Sequence, residues 1–327
     1  MGRKTTVISA AMFMVLAGLG ACSPKSADDS DATNAVTPPS VATETDTANA
    51  GDIEVISGSP ALWTATDEDT TVYLFGTVHI LKPGTQWRTP EFDAAFASAD
   101  AIYFEADTTS PEAEQAVGPL IMQYGLYTDG RTLRDVLDDA DEKEVEEAAA
   151  LLGLPMSALD PMKPWTASIN LTFTQLMQDG FDPESGVEIV LEADAAAAGK
   201  PLRYFETMEQ QLMFFAGMDE EDQIASLVAT AEMLEDSPDM IDDLITDWQE
   251  ADIDGIAELM SDVDVLGSEA IYQTLIVNRN ADWVEQIEAL MQDEAGTFFI
   301  AVGAGHLAGE DSVIAQLRAD GIDVSGP

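Results

Sequence analysis

The two histidines of the chain occur in the same local pattern, Gly-x-x-His, directly after an apolar run. His79 ends the first copy, which follows the run 72–75, and His306 ends the second copy, which follows the run 297–302. A glycine lets the backbone turn sharply at the end of a strand, and ligands of open α/β sheets bind in the crevice beyond the carboxyl ends of the strands. The matched contexts favour two imidazoles in one crevice over two histidines that only complete turns.

Glutamates end two other apolar runs: Glu105 follows 101–104, and Glu206 follows 201–205. An acid directly after an aromatic strand end differs from the acids of helical charge runs, although Glu206 could also belong to the helix start near Thr207. If these strands are parallel neighbours, two imidazoles and one or two carboxylates meet at one edge of the sheet. Two histidines plus a carboxylate, with open coordination positions, suit a catalytic divalent metal such as Zn, Mn, Fe or Co.

Arg279 lies among apolar residues of a predicted helix, in a chain that has only 13 Lys+Arg. Such a guanidinium could clamp a carboxylate or an oxyanion, and an ion pair with one of the 62 Asp+Glu is the alternative. The sequence contains no P-loop, dinucleotide fingerprint, Gly-x-Ser-x-Gly elbow or Cys-x-x-Cys pair. Cys22 is the only cysteine, and its expected lipidation excludes thiol catalysis.

Short β-rich runs alternate with helical patterns over residues 52–327, which predicts a mixed α/β fold with a largely parallel central sheet flanked by helices. The predicted strands are 61–65, 72–75, 101–104, 201–205, 297–302 and 322–324. The predicted helices are 90–99, 111–123, 141–152, 162–178, 186–198, 207–215, 219–235, 238–250, 254–261, 268–292 and 310–319. The helical block of about 110–292 is too long for one crossover. We expect it to be a helical insertion between the N- and C-terminal strands.

The first 51 residues predict export and anchoring rather than a folded element. A basic start precedes an apolar run over 7–19 that is too short for a comfortable membrane span. This run ends in Leu-Gly-Ala-Cys at Cys22, which resembles the cleavage box of bacterial lipoproteins. We therefore expect 1–21 to be a signal peptide and Cys22 to be lipidated, with an uncleaved anchor or an incidental cysteine as the alternative.

Residues 22–51 are predicted to form a disordered tether, because they are rich in Ala, Thr, Ser, Asp and Pro and contain no aromatic residue. Ser23 follows Cys22, at the position where an Asp would favour retention in the inner membrane. The expected location is therefore the bacterial cell envelope, at the outer membrane and facing the periplasm.

The charge of the chain excludes one class of partner. With 13 Lys+Arg against 62 Asp+Glu, the net charge is −49, which repels a phosphate backbone and argues against nucleic-acid binding. An anionic lipid surface is disfavoured for the same reason, so we expect contact with the membrane through the lipid anchor only.

The stretches LFGTVHILKPGTQW, FEAD, SGVEIVLEADAAAAGKPLRYFETMEQQL, VNRNADWVEQI and FFIAVGAGHLAGEDSVIAQLRADGIDV resemble the TraB/GumN/PrgY family. The resemblance covers nearly all of 58–327, and at longer range the sequence is similar to the Tiki proteases and the erythromycin-esterase/ChaN-like fold. The resemblance implies a metal-dependent site that hydrolyses peptides. In this site His79, His306 and Glu105 would hold the metal.

The same resemblance implies roles for further residues. The family's second acidic strand end matches Glu206, and its Arg-Asn pair matches Arg279 and Asn280; Glu188 departs from the family pattern, in which many members carry Asp after Gly-Val. We expect Glu206 and Arg279 to act in catalysis, and Asn280 and Glu188 to bind the substrate, a peptide or a small molecule.

Two functions of different classes follow from these residues. In the first, a metal-bound water attacks a peptide carbonyl, a glutamate accepts its proton and Arg279 stabilises the oxyanion. In the second, the same crevice sequesters a peptide or a metal without turnover, which would suffice for the silencing of peptide pheromones associated with some family members. An acid that lies near the metal but does not bind it would favour the first function.

Overall fold

The computed structural model describes residues 58–237, 239–262 and 266–327. The predicted signal peptide, Cys22 and the predicted tether lie outside these residues. No helix within the described ranges combines the length and the apolar character needed to cross a membrane.

A six-stranded sheet forms the centre of the fold, in the order β4-β3-β5-β2-β1-β6. The strands are β1 (Leu62–Thr66), β2 (Thr70–Thr77), β3 (Ala101–Ala106), β4 (Leu202–Glu206), β5 (Gly296–Gly303) and β6 (Asp323–Ser325). Neighbours from β4 to β2 are parallel, whereas β1 runs antiparallel to both β2 and β6. The structure confirms the predicted mixed, largely parallel sheet, and every predicted strand is present with ends shifted by at most two residues.

Helices cover both faces of the sheet. They are α1 (Pro90–Ser98), α2 (Pro111–Leu120), α3 (Asp139–Leu151), α4 (Met156–Leu159), α5 (Pro164–Gln178), α6 (Val187–Ala198), α7 (Met208–Ala216), α8 (Glu220–Asp236), α9 (Met240–Glu250), α10 (Ile253–Ser261), α11 (Glu269–Tyr272), α12 (Asn278–Asp293) and α13 (Val313–Ala319). Between β3 and β5 the described chain is helical apart from turns, loops and the strand β4. Within that stretch α8 packs against both α3 and α5.

The central strand β5 explains why both faces of the sheet are covered. Phe299 belongs to the apolar cluster that includes Phe92 and Trp248, whereas Ile300 belongs to a second cluster that includes Trp283 and Leu317. Because successive side chains of a strand point to opposite faces, an apolar run such as this one needs a helical layer on each side.

The predicted helix 268–292 is interrupted in the structure. A short helix α11 leads into a π-helical turn, Gln273–Val277, and α12 follows it. A π-turn inserts one extra residue per turn and so changes the face on which the following side chains lie. Periodicity in the sequence did not reveal this change, although it sets the direction of the side chains at the start of α12.

Candidate functional site

The predicted side chains meet at one edge of the sheet. Thr77 at the end of β2 pairs with Gly303 at the end of β5, and Glu206 at the end of β4 pairs with Ala106 of β3. The four parallel strands therefore end together, with Glu105 one residue before the end of β3. This edge is the part of an open α/β sheet at which ligands bind.

His306 lies on a single 3₁₀ turn after β5 and is held through Nδ1. That atom lies 2.6 Å from Oδ1 of Asn280, whose Nδ2 donates to the backbone oxygen of Asp311 at 2.8 Å. Since the amide nitrogen of Asn280 faces Asp311, its oxygen accepts the Nδ1 proton of His306. The lone pair of the imidazole therefore lies on Nε2.

The guanidinium of Arg279 lies between the two strand-end glutamates and His306. Its Nη2 donates to Glu105 Oε2 at 2.7 Å and to Glu206 Oε2 at 2.9 Å, and its Nε donates to Glu206 Oε1 at 2.8 Å. Its Nη1 lies 3.0 Å from Nε2 of His306. Only 3% of Arg279 is exposed, so these ion pairs are buried, where charge-assisted hydrogen bonds are strong.

Two further side chains, which the sequence did not point to, complete this cluster. Gln211 Nε2 donates to Glu105 Oε2 at 3.1 Å and to Glu206 Oε2 at 3.3 Å, and Trp283 Nε1 donates to Glu206 Oε1 at 3.0 Å. Gln211 lies on α7, which begins at Met208, two residues after Glu206. A polar residue one turn into a helix that follows a strand-end acid is a signal that could have identified it.

The charges in this cluster displace the pKa values of its members. Burial raises the pKa of Glu105, but the nearby Arg279 and the two histidines outweigh burial and lower it to about 2. Burial, followed by the charge of Arg279, lowers the pKa of His306 to about 3. Burial raises the pKa of Glu206, against the opposing effect of Arg279. At neutral pH, Glu105 is therefore ionised and His306 is neutral.

His79 follows β2 and lies next to Glu188 of α6. Its Nδ1 lies 2.6 Å from Glu188 Oε1, and the hydroxyl of Thr77 donates to the same oxygen. Burial by itself lowers the pKa of His79, but Glu188 outweighs burial and holds the pKa above its ordinary value. Glu188 thus lies in ion-pair contact with the Nδ1 side of this imidazole, and a carboxylate beside the second ring nitrogen is common for histidines that bind metals.

The distances from a Cβ built on Gly303 show which side chains surround the space where a metal would lie. A Cβ at Gly303 would lie 3.1 Å from Glu105 Oε1, 3.6 Å from His306 Cδ2 and 3.9 Å from His79 Nε2. A carboxylate oxygen and two imidazoles therefore surround one small space, and these donor types fit a divalent metal.

As the described side chains stand, no group of three His, Cys, Asp or Glu is arranged to hold a metal ion. Arg279 donates to Nε2 of His306 and to one oxygen of Glu105. The donor set therefore fits a metal by chemical type, and binding through His306 requires that Arg279 give up its contact with Nε2.

Two narrow pockets are lined by His79. One is also lined by His306, Trp248 of α9 and Met260 of α10. The other is also lined by Phe104, Glu105, Ala106, Thr108, Glu188 and Gln211. A ligand in either pocket would contact the imidazole of His79.

Comparison with known proteins identifies one family. A family model described as the TraB/PrgY/gumN family matches residues 61–326. No curated protein and no solved structure matches the chain.

Proposed function

This chain belongs to the TraB/PrgY/gumN family, and we propose that it is a divalent-metal-dependent hydrolase that cleaves peptides. The observation that carries the proposal is the convergence of His79, His306 and Glu105 around Gly303, at the carboxyl edge of the sheet. A second buried acid, Glu206, lies beside this group. Arg279 and Gln211 each donate to both Glu206 and Glu105, and Trp283 donates to Glu206 and packs against the ring of His306.

The proposed metal ligands are His79, His306 and Glu105. A metal held there would supply a water that is nucleophilic at neutral pH and would polarise the carbonyl under attack. Glu188 and Asn280 each lie against the Nδ1 side of one histidine, so a metal would bind Nε2 of each ring, and at His306 it would replace the contact with Arg279. We therefore propose that Glu188 and Asn280 position the ligands, rather than bind the substrate as the sequence suggested.

Glu206 is the proposed general base. Burial raises its pKa, which makes a carboxylate a better proton acceptor, and Trp283 and Gln211 hold both of its oxygens in place. Arg279 is the proposed oxyanion ligand, because its guanidinium already lies beside His306 and donates only. Negative charge that develops on the oxygen of the substrate carbonyl would accept the hydrogen bond that Nη1 of Arg279 now donates to His306.

We further propose that the protein acts in the bacterial cell envelope, anchored at Cys22 and facing the periplasm from the outer membrane. The support is the cleavage-box pattern that ends at Cys22 and the polar, aromatic-free segment after it. Peptides are the expected substrates in that location.

A second function is favoured by the burial of the site. Glu105, Arg279 and His306 are each at most 4% exposed, and Arg279 already forms ion pairs with Glu105 and Glu206. A crevice of this kind could bind a peptide or a metal and release it unchanged, so sequestration without turnover is the competing function.

Turnover separates the two functions. The full chain is stripped of metal, reloaded with Mn²⁺, Zn²⁺ or Co²⁺, and incubated with a random peptide pool that is then read by mass spectrometry. We expect metal-dependent cleavage that falls at least a hundredfold in His79→Ala and in His306→Ala, and that is retained in Glu68→Gln, an exposed control in the β1–β2 turn. Stoichiometric peptide binding without any cleavage would replace the hydrolase by the sequestering function.

A further inference from the structure

A separate pocket lies beside the site, on the other side of Thr108. This pocket, which we call the Glu192 pocket, spans about 880 Å³ including the space open to solvent at its mouth. It is lined by α2, α6, the turn before α6, the start of β4 and the segment that follows β3. Thr108 lines both the Glu192 pocket and the smaller pocket that contains His79 and Glu105. The two spaces are therefore neighbours, and one extended ligand could occupy both.

One carboxylate oxygen of Glu192, the buried acid that lines this pocket, has no hydrogen bond within the described part of the chain. Glu192 is 3% exposed, and its Oε2 accepts a hydrogen bond from the hydroxyl of Thr109. Its other oxygen, Oε1, is buried and has no hydrogen-bond partner among the described residues. A buried carboxylate oxygen without a donor costs stability, so a ligand that supplies a donor would be favoured there.

The described residues that line the pocket around Glu192 carry negative charge and no positive charge. Burial, together with Asp107 and Glu188, raises the pKa of Glu192 to about 7, against the hydrogen bond from Thr109. Glu114 and Glu184, both exposed, line the same pocket, and none of its described lining residues is a Lys, Arg or His. The ligand that completes this arrangement is a cation that donates hydrogen bonds.

We propose that the Glu192 pocket binds the ammonium or guanidinium group of a basic peptide, with Glu192 as its counter-ion. Glu114 and Glu184 attract the cation at the mouth of the pocket, and Ile189 and Leu202 contact the aliphatic stem that carries it. The occupant is an organic cation rather than a bare metal ion, because the walls between the acids are apolar. The inference rests on the proposed function at one point only, namely that the peptide bound in the Glu192 pocket is also the peptide that is cleaved.

Binding to the full chain tests the proposal independently of turnover. Three peptides, of which two are cationic and each differ from the neutral one at one group, are compared by isothermal titration calorimetry at pH 8, where the carboxylate of Glu192 is ionised. The first is acetylated and contains one Lys, the second is acetylated with norleucine in its place, and the third has norleucine and a free amino terminus. We expect at least tenfold tighter binding of one cationic peptide than of the acetylated norleucine peptide. Which cationic peptide binds tighter tells whether a side chain or the amino terminus occupies the pocket.

The variants Glu192→Gln and Glu192→Asp locate the binding site. We expect Glu192→Gln to reduce the preference to less than threefold, Glu192→Asp to keep part of it, and Glu68→Gln to leave it unchanged. Equal binding of the three peptides by the unmodified chain would overturn the inference whether or not the variants fold, as would a full preference in folded Glu192→Gln. Peptide cleavage without tighter binding of a cationic peptide would refute this inference alone. Tighter binding of a cationic peptide without any cleavage would refute the proposed hydrolase function alone.

Discussion

Nη1 of Arg279 lies 3.0 Å from Nε2 of His306. A guanidinium has no acceptor, so His306 accepts this hydrogen bond and carries its own proton on Nδ1, towards Asn280. The cation that balances Glu105 and Glu206 is therefore part of the chain. The charge balance of the site therefore depends on one residue of α12, Arg279.

Replacing Arg279 by Met should destabilise the fold strongly. The change leaves Glu105 and Glu206 buried without a counter-charge, and breaking a buried pair in this way costs about 3–5 kcal/mol. The free energy of unfolding, measured by urea denaturation at pH 7, checks the value. The matched control is Arg131→Met, which removes an exposed arginine paired with Asp129 and Glu220 and should lower the free energy of unfolding far less, because exposed ion pairs contribute little. Equal losses in the two variants would contradict the buried pairing.

The stability of the protein should depend on pH through Glu192. Its folded pKa of about 7 lies above the ordinary value of 4.5, so the folded state binds the proton more tightly and loses stability as the pH rises from about 4.5 to 7. Glu192→Gln removes this dependence, and its stability relative to the unmodified chain should rise by about 2–3 kcal/mol between pH 5 and pH 8. Urea denaturation at the two pH values measures the difference. A constant difference would mean that the pKa of Glu192 is ordinary.

Gly186→Ala should disturb the segment that carries His79. A Cβ at Gly186 would lie 2.1 Å from the backbone oxygen of His79, so the backbone must move, at a cost of about 1–3 kcal/mol. Peptide cleavage and thermal unfolding should both be impaired. In Gly118→Ala the added Cβ meets no atom within 4 Å, and we expect a change within about 1 kcal/mol. Full activity of Gly186→Ala would show that the position of His79 tolerates this shift.

His79→Ala and His306→Ala should each abolish stoichiometric binding of a divalent metal and leave the fold largely intact. The sequence contains no other histidine, and its one cysteine is Cys22, so no similar ligand can replace them. Glu105→Gln should weaken binding less, because an amide oxygen still coordinates feebly. Elemental analysis gives the metal content, with circular dichroism as the folding check. Full occupancy in a folded double variant His79→Ala, His306→Ala would end the case for a shared metal site.

Cys22 should carry a lipid in the mature protein. Intact-mass spectrometry of protein extracted from bacterial membranes is expected to show the loss of residues 1–21 and the mass of added acyl chains. Cys22→Ala should leave the precursor unprocessed. A membrane-extracted protein that retains residues 1–21 would refute the anchor.

The strand-borne half of the site was predictable from the sequence, because it follows from local patterns. The runs before His79, Glu105, Glu206 and His306 read as strands, and parallel strands of one sheet bring their carboxyl ends together. The prediction assumed that these strands are parallel neighbours, and the strand order β4-β3-β5-β2 supplies that condition.

The helix-borne half was predictable only in part, because its contacts depend on how helices pack. Arg279 was expected near an anion, but its position beside His306 depends on the π-turn Gln273–Val277, which no apolar spacing revealed. Asn280 and Glu188 were expected to bind substrate. In the structure each contacts one histidine, through distances of 2.6 Å that only the tertiary fold creates.

The parallel pairing of β2 with β5 has a consequence during synthesis of the protein. Its paired residues, such as Thr70 and Gly296, are more than 200 positions apart in the chain. At translation rates of about 5–20 residues per second, β2 waits roughly 10–50 s on the ribosome before its partner emerges. Throughout this interval the backbone N–H and C=O groups on the β5-facing edge of β2 are unpaired and open to other strands.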